Sequence, residues 1–159
     1  MSTVICNASP LIILAKADLL QILPKLFTRI LLPHAVADEI MAGPADDPMR
    51  RALPECKWLE RVRLDPAMSP LATWQIGRGE AEVIEYARLH HELAALLDDR
   101  AARRAAEALG LKVYGTLSLV AIACKQKHIE SFSAAVGKLK SAGLYVSDEI
   151  VETVRKKLR

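Results

Sequence analysis

The stretch Ala94-Ala95-Leu96-Leu97-Asp98-Asp99-Arg100-Ala101-Ala102-Arg103-Arg104 constrains the fold more than any other part of the chain. A short apolar run stops abruptly at two carboxylates, and an Arg/Ala-rich helical pattern starts at once. A run that short and that apolar reads as a buried strand. A strand that carries acid to its C-terminal end, directly before a helix, ends where open α/β sheets hold their ligands. Whether other parts of the chain bring more acid to the same place decides what the stretch means.

The same alternation of short strand and helix runs along the sequence. Thr3 to Cys6 predicts a buried strand, ended by Asn7-Ala8-Ser9-Pro10. Ser9 is placed to cap a helix from Leu11 to about Ala17, with Pro10 at its first position. Asp18 is placed to cap a second helix through Leu26, which Pro24 should distort. Thr28 to Leu32 predicts the next strand, and Pro33 opens a helix that ends at Gly43. Between Pro44 and Pro70 the pattern weakens to a loose helix around Asp47 to Leu53 and an extended piece near Lys57 to Leu64. Gly77-Arg78-Gly79 launches a helix from Glu80 to about Glu92. Leu93 to Leu97 predicts a strand, Asp99 to Leu109 a helix with Gly110 as its stop, and Lys112 to Tyr114 a strand. The helix after Gly115-Thr116, through Lys127, is apolar almost all round and should be well buried. Two amphipathic helices close the chain, about Glu130 to Ala142 and Asp148 to Lys157. Gly143 ends the first, and Ser147 is placed to cap the second.

Strands alternating with helices predict a three-layer α/β/α, Rossmann-like domain with a mostly parallel central sheet. With 159 residues, a single domain over 1–159 is the simplest organisation. Apolar residues make up 52% of the chain but aromatics only 4%, so the core must be built from Leu, Ile, Val and Ala. The net charge of +3 permits a polyanionic partner without requiring one. Three scattered cysteines, Cys6, Cys56 and Cys124, fit a reducing, cytoplasmic setting. No run matches a targeting segment or a membrane span.

Helical periodicity sorts the acids. On the helix after Pro33, Val36 and Ile40 mark the buried stripe. Glu39 lies within roughly 60° of Val36, while Asp38 points nearly away. Glu39 therefore either reaches inward or forms a rim ion pair. On the next long helix Val83, Ile84 and Ala87 form the stripe, and Glu80 precedes them on the same face. Glu80 is either an inward group or a first-turn acid favoured by the helix dipole. Glu82 and Glu85 fall off that stripe, and Arg88 follows Glu85 at i+3, which predicts a solvated ion-pair ladder. Of Asp98 and Asp99, one suffices to cap the helix that follows. Carboxylates gathered beside Glu80 and Glu39 would repel unless a cation sat between them, and hard divalent ions take oxygen ligands of this kind. Arg100, Arg103 and Arg104 share one helical face while alanines line the other. That face is either merely solvated or holds phosphates near the acids. The histidines lack metal-ligand spacing relative to cysteine. The missing third glycine and phosphate loop disfavour a small-ligand nucleotide domain.

The blocks Val4-Ile5-Cys6-Asn7-Ala8-Ser9-Pro10, Leu32-Pro33-His34-Ala35-Val36-Ala37-Asp38-Glu39-Ile40, Gly77-Arg78-Gly79-Glu80-Ala81-Glu82, Leu96-Leu97-Asp98-Asp99-Arg100-Ala101-Ala102-Arg103 and Gly115-Thr116-Leu117 together resemble the PIN-domain superfamily, in its prokaryotic PIN-like branch. Any one block is weak; the ordered set spans nearly the whole chain. The resemblance implies acids clustered at the C-terminal strand ends. It also implies Mg²⁺- or Mn²⁺-dependent cleavage of single-stranded or structured RNA. Many relatives are toxins held by a small antitoxin, and many form homodimers. Residue by residue, the resemblance puts Asn7 in the place of the first family aspartate, Glu39 in the second acidic place, Glu80 in the third and Asp99 in the fourth, with Asp98 as neighbour or alternative. It gives Asn7, Glu39, Glu80, Asp98 and Asp99 to the metal, and Ser9, Arg100, Arg103 and Thr116 to nucleic acid. Asn7 is the departure: an amide ligates through its oxygen but carries no charge and is a poor base. The same departure opens the alternative of a catalytically impaired module that binds RNA or a partner protein.

Overall fold

The computed structural model describes residues 3–64, 76–90 and 92–158. Strand β1 (Thr3–Cys6) runs through the middle of a five-stranded parallel sheet, between β2 (Arg29–Pro33) and β4 (Ala94–Leu96). The edges are β3 (Leu59–Val62) beside β2 and β5 (Lys112–Tyr114) beside β4. All four pairings are parallel, in register Ile5↔Leu31, Cys6↔Leu96 and Leu96↔Tyr114. Val4, Ile5 and Cys6 are wholly buried, as are Ala95 and Leu96, which is why the central strands read as continuous apolar runs. Each Val, Leu or Ile so buried contributes about 1.5–3 kcal/mol. The core is aliphatic apart from Phe27 and Phe132, as the scarcity of aromatic residues requires.

Helices fill the crossovers: α1 (Ala8–Lys16), α2 (Ile22–Leu26), α3 (His34–Met41), α4 (Pro48–Ala52) with a 3₁₀ turn at Leu53–Glu55, α5 (Arg78–Leu89), α6 (Arg100–Ala108) and α7 (Thr116–Lys125), followed by α8 (Phe132–Ser141) and α9 (Asp148–Lys156). Parallel crossovers are right-handed, so the helices preceding β3 and those flanking β4 cover opposite faces, giving three α/β/α layers. None of the described helices is long and apolar enough to cross a membrane. All three cysteines are free, and burial pushes the Cys6 thiol far up, which leaves it an inert core residue.

Several local expectations need correction. Helix α1 starts at Ala8, with Asn7 as its cap residue and no side-chain cap bond, so Pro10 sits in the first turn rather than at the first position. Asp18 does not cap α2; it adopts φ +58 in the connecting turn, and Gln21 precedes the helix. Pro24 causes no break because it lies in the first turn of α2, where its missing N–H has no partner to lose. Gly110 and Gly143 take φ +77 and +107 just past α6 and α8, the left-handed stop that glycine adopts without strain. Asp99, Ser131 and Ser147 cap α6, α8 and α9 through their side chains. Pro66, Pro70 and His91 lie outside the described residues.

Candidate active site

The order β3-β2-β1-β4-β5 means that the chain builds outward from β1 in one direction, then returns and builds in the other. The reversal lies between β1 and β4, where the loops leaving two neighbouring strands part and open a crevice. The ladder runs one residue past both strands: the Asn7 N–H donates to the Leu96 carbonyl at 3.1 Å, and the Leu97 N–H to Tyr114 at 2.9 Å. Asn7 and Asp98-Asp99 therefore emerge side by side at the crevice.

Two further acids arrive from helices. Where α3 meets α5, a β-carbon on Gly79 would stand 3.3 Å from Val36 Cγ2, 3.5 Å from Asn7 Oδ1 and 3.8 Å from Glu39 Oε2. A side chain there would press on Val36, so glycine eases the close approach of the first turn of α5 to Asn7 and Glu39. Glu80 follows on that same turn. Its carboxyl is held above the ordinary glutamate range, first by loss of solvent, then by the charges of Asp99 and Glu39. Hydrogen bonds from the Gly77 backbone and the Asn7 side chain oppose the rise. Asn7 is buried, and its Oδ1 has no partner among the described residues. Glu80 is half-buried beside this amide and feels the charges of Asp99 and Glu39, two exposed acids that come from separate elements.

Asp98 and Asp99 divide the two tasks. Asp99 Oδ2 accepts from the Ala102 N–H at 2.9 Å and caps α6. Asp98 is bonded on both oxygens: Oδ1 accepts from the Thr116 N–H at 2.8 Å and Oδ2 from the Thr116 hydroxyl at 2.5 Å. It ties the end of β4 to the start of α7. Thr116 is fully buried, so the expected contact with nucleic acid is corrected to an anchoring role behind the surface. Gly115 keeps that junction open, since a β-carbon there would meet Arg103 Nη1 at 3.1 Å and Asp98 Oδ1 at 3.3 Å. Thr116→Val removes a donor from a partly buried carboxylate and should destabilise the protein by about 1–3 kcal/mol, read as a lower urea midpoint with an unchanged slope.

The ladder expected at Glu82, Glu85 and Arg88 is not solvated. Glu85 is wholly buried, and Arg88 donates to its Oε1 through Nε at 2.8 Å and through Nη2. Glu82 Oε2 accepts from the Ala35 N–H at 3.2 Å. That bond supplies, from α5, the N-terminal cap that Pro33 cannot give α3. Ser9 is exposed on the first turn of α1, and Arg100 and Arg104 are exposed on α6.

Every donor in the cluster is oxygen, which fits a hard divalent ion and no soft one. A buried, unpartnered Oδ1 and a glutamate raised by its neighbours' charges are both features that a cation would relieve. As the side chains stand, no three Asp, Glu, His or Cys residues among the described ones close round a single point. The donors fit the ion in chemistry, and binding would have to draw them together. Without a cation, ionised Glu80 works against the fold. Its folded pKa lies above its unfolded value, so stability is fullest below the unfolded value and is lost as pH rises through the folded one. Glu80→Gln should therefore raise the metal-free melting temperature at pH 7, with the advantage vanishing towards pH 4, as a pH series of thermal melts would show.

The comparisons with known proteins agree with this fold. A family model described as a PIN domain (DUF3368) matches residues 3–159. A PilT N-terminus domain protein from the hyperthermophilic archaeon Sulfolobus solfataricus is similar in structure, with a TM-score of 0.50, 13% sequence identity, and coverage of 92% of this chain and 98% of that one. A likeness at that identity speaks for the fold alone. No curated protein matches the chain by sequence.

Proposed function

The chain belongs to the PIN-domain family, whose members are typically nucleases, and from that premise we propose that it is a metal-dependent endoribonuclease. The observation that carries the proposal is the convergence on Glu80: beside the buried Asn7 amide, at the switch point of the sheet, loss of solvent and then the charges of Asp99 and Glu39 hold its carboxyl up. Glu39, Glu80 and Asp99 would hold Mg²⁺ or Mn²⁺, with Asn7 Oδ1 as a neutral fourth donor. The ion would lower the pKa of a bound water and offset charge on the phosphate in the transition state. The chain's own contribution is placement. Gly79 brings α5 against Asn7 and Glu39, Asp99 is fixed by its cap, and Asp98 with Thr116 fixes the loop that carries Asp99. Arg100 and Arg103 stand beside the acids to hold the RNA backbone. A cytoplasmic toxin restrained by a small antitoxin, acting as a homodimer, is the setting this reading implies.

The test is cleavage of a mixed RNA pool by the purified chain in Mn²⁺ and in EDTA, beside thermal melts in both. Cleavage only with Mn²⁺, and a higher melting temperature with it, is the expected outcome. A chain that neither cleaves nor gains stability defeats the proposal. That result would favour the second reading, a binding module without catalysis. One observation supports the second reading: the buried Asn7 amide already lowers the Glu80 carboxyl and so replaces part of what a cation would do.

A further inference from the structure

Beside the acidic cluster lies a groove of 670 Å³ that begins at Asp98, the neighbour of Asp99. Helix α6 forms one wall, and the 144–146 segment with α9 forms the other. Arg100 and Arg104 line the first wall, and Lys157 stands on the second. None of these three is in an ion pair among the described residues. The acids facing them are Glu107 and Asp98, and Asp98 is already bonded to Thr116. The apolar content is just as uneven. Three large apolar side chains are exposed among the described residues, and two of them, Tyr145 (102%) and Ile150 (52%), line this groove. Free cations combined with a bare aromatic ring suit a chain of phosphates carrying unstacked bases. A duplex keeps its bases stacked and offers no face to such a ring.

Resting on the nuclease reading, we infer that this groove is the track of the single RNA strand leading from the cleaved phosphate. A base lies on Tyr145 beside Ile150, and the backbone is held by Arg100, Arg104 and Lys157. The track makes single-stranded RNA, rather than duplex, the form that the site engages. Because Tyr145 is fully exposed, it contributes nothing to the core, and its replacement changes only what the groove can hold.

The inference is tested by fluorescence anisotropy of the full chain with a labelled, unstructured RNA 12-mer in EDTA, where no cleavage intervenes. Tyr145→Ala should weaken binding about 10-fold, in the range measured for loss of one base–aromatic stack, while Tyr145→Phe should bind as the wild type does. Arg104→Ala with Lys157→Ala should weaken binding and flatten the salt dependence by about 0.7 per cation removed. The matching RNA duplex should bind more weakly and ignore Tyr145→Ala. Wild-type affinity in Tyr145→Ala and in the double variant overturns the track. Sedimentation of the RNA-free chain as a dimer that Tyr145→Ala dissociates also overturns it, by giving the groove to a second copy. The two readings fail separately. Mn²⁺-dependent cleavage with Tyr145-independent binding sinks the track alone. Tyr145-dependent binding without cleavage sinks the nuclease alone.

Discussion

Asp99→Asn should lower Mn²⁺-dependent RNA cleavage at least about 100-fold while leaving the melting temperature of the metal-free protein unchanged or slightly raised. The separation follows from the two tasks of this side chain. As a cap it needs one oxygen to accept from the Ala102 N–H, and asparagine caps a helix as well as aspartate does. As a member of the cluster it needs its charge, which asparagine lacks. A bound ion is worth several kcal/mol to a phosphoryl transition state, and each 1.36 kcal/mol is tenfold in rate, so loosening its hold by one carboxylate is read first in the rate. Removing the charge also removes one cause of the raised Glu80 carboxyl, which is why stability should not fall. Asp98→Asn should do the reverse. Both Asp98 oxygens accept from Thr116, and an amide keeps one acceptor, gives up the charge-assisted bond and forces the Thr116 hydroxyl to turn and accept, so stability falls before chemistry does. Initial rates and melts on both variants distinguish the neighbours. Wild-type cleavage by Asp99→Asn would remove the site from this cluster.

The difference between those two aspartates also marks how far the sequence could be read. Asp98-Asp99 announced acid at a strand end, and the register Cys6↔Leu96 put it beside Asn7 as expected of a parallel sheet. Helical periodicity turned Glu39 rather than Asp38, and Glu80 rather than Glu82, inward, yet Glu39 and Asp38 are both exposed and Glu80 and Glu82 both half-buried; what sets Glu80 apart is the charge of Asp99 and Glu39 upon it. What it could not tell was which oxygen of a neighbouring pair is occupied. That depends on Thr116, 18 residues further on, whose N–H and hydroxyl reach Asp98 only once β5 has paired with β4. Glu85 was misread for a related reason. An i+3 arginine looks the same in sequence whether the pair faces water or the interior, and its burial comes from what packs over α5 rather than from α5 itself. Glu82 shows the same limit from the other side, since the backbone donor it satisfies belongs to α3, 47 residues earlier. Of the two glycines before Glu80, Gly79 has the tighter surroundings, its absent β-carbon 3.3 Å from Val36 with Asn7 and Glu39 within 4 Å.

Asn7→Asp should make the protein less stable without metal and more stable, and more active, with it. In the metal-free state the Asn7 amide, a donor, opposes the rise of the Glu80 carboxyl. Aspartate replaces that donor with a second negative charge in a buried position, 3% exposed. Loss of the bond alone costs about 1–3 kcal/mol, which for a domain of this size lowers the melting temperature by roughly 2–4 °C per kcal/mol. The penalty should fade as pH falls, because protonating either carboxyl restores a donor and removes the repulsion. With Mn²⁺ the sign reverses, since a fourth ligand that carries charge now faces a cation. A ligand at 100 times its Kd stabilises by about 2.7 kcal/mol, so tighter binding lets the variant pass the wild type at lower Mn²⁺. The two melting curves plotted against Mn²⁺ concentration should therefore cross. Curves that stay parallel would mean that no ion enters beside residue 7, and the neutral corner would then be a structural amide rather than a weakened ligand. A crossing accompanied by faster cleavage would mean that the single missing charge at Asn7 sets how much metal, and hence how much activity, this cluster can hold.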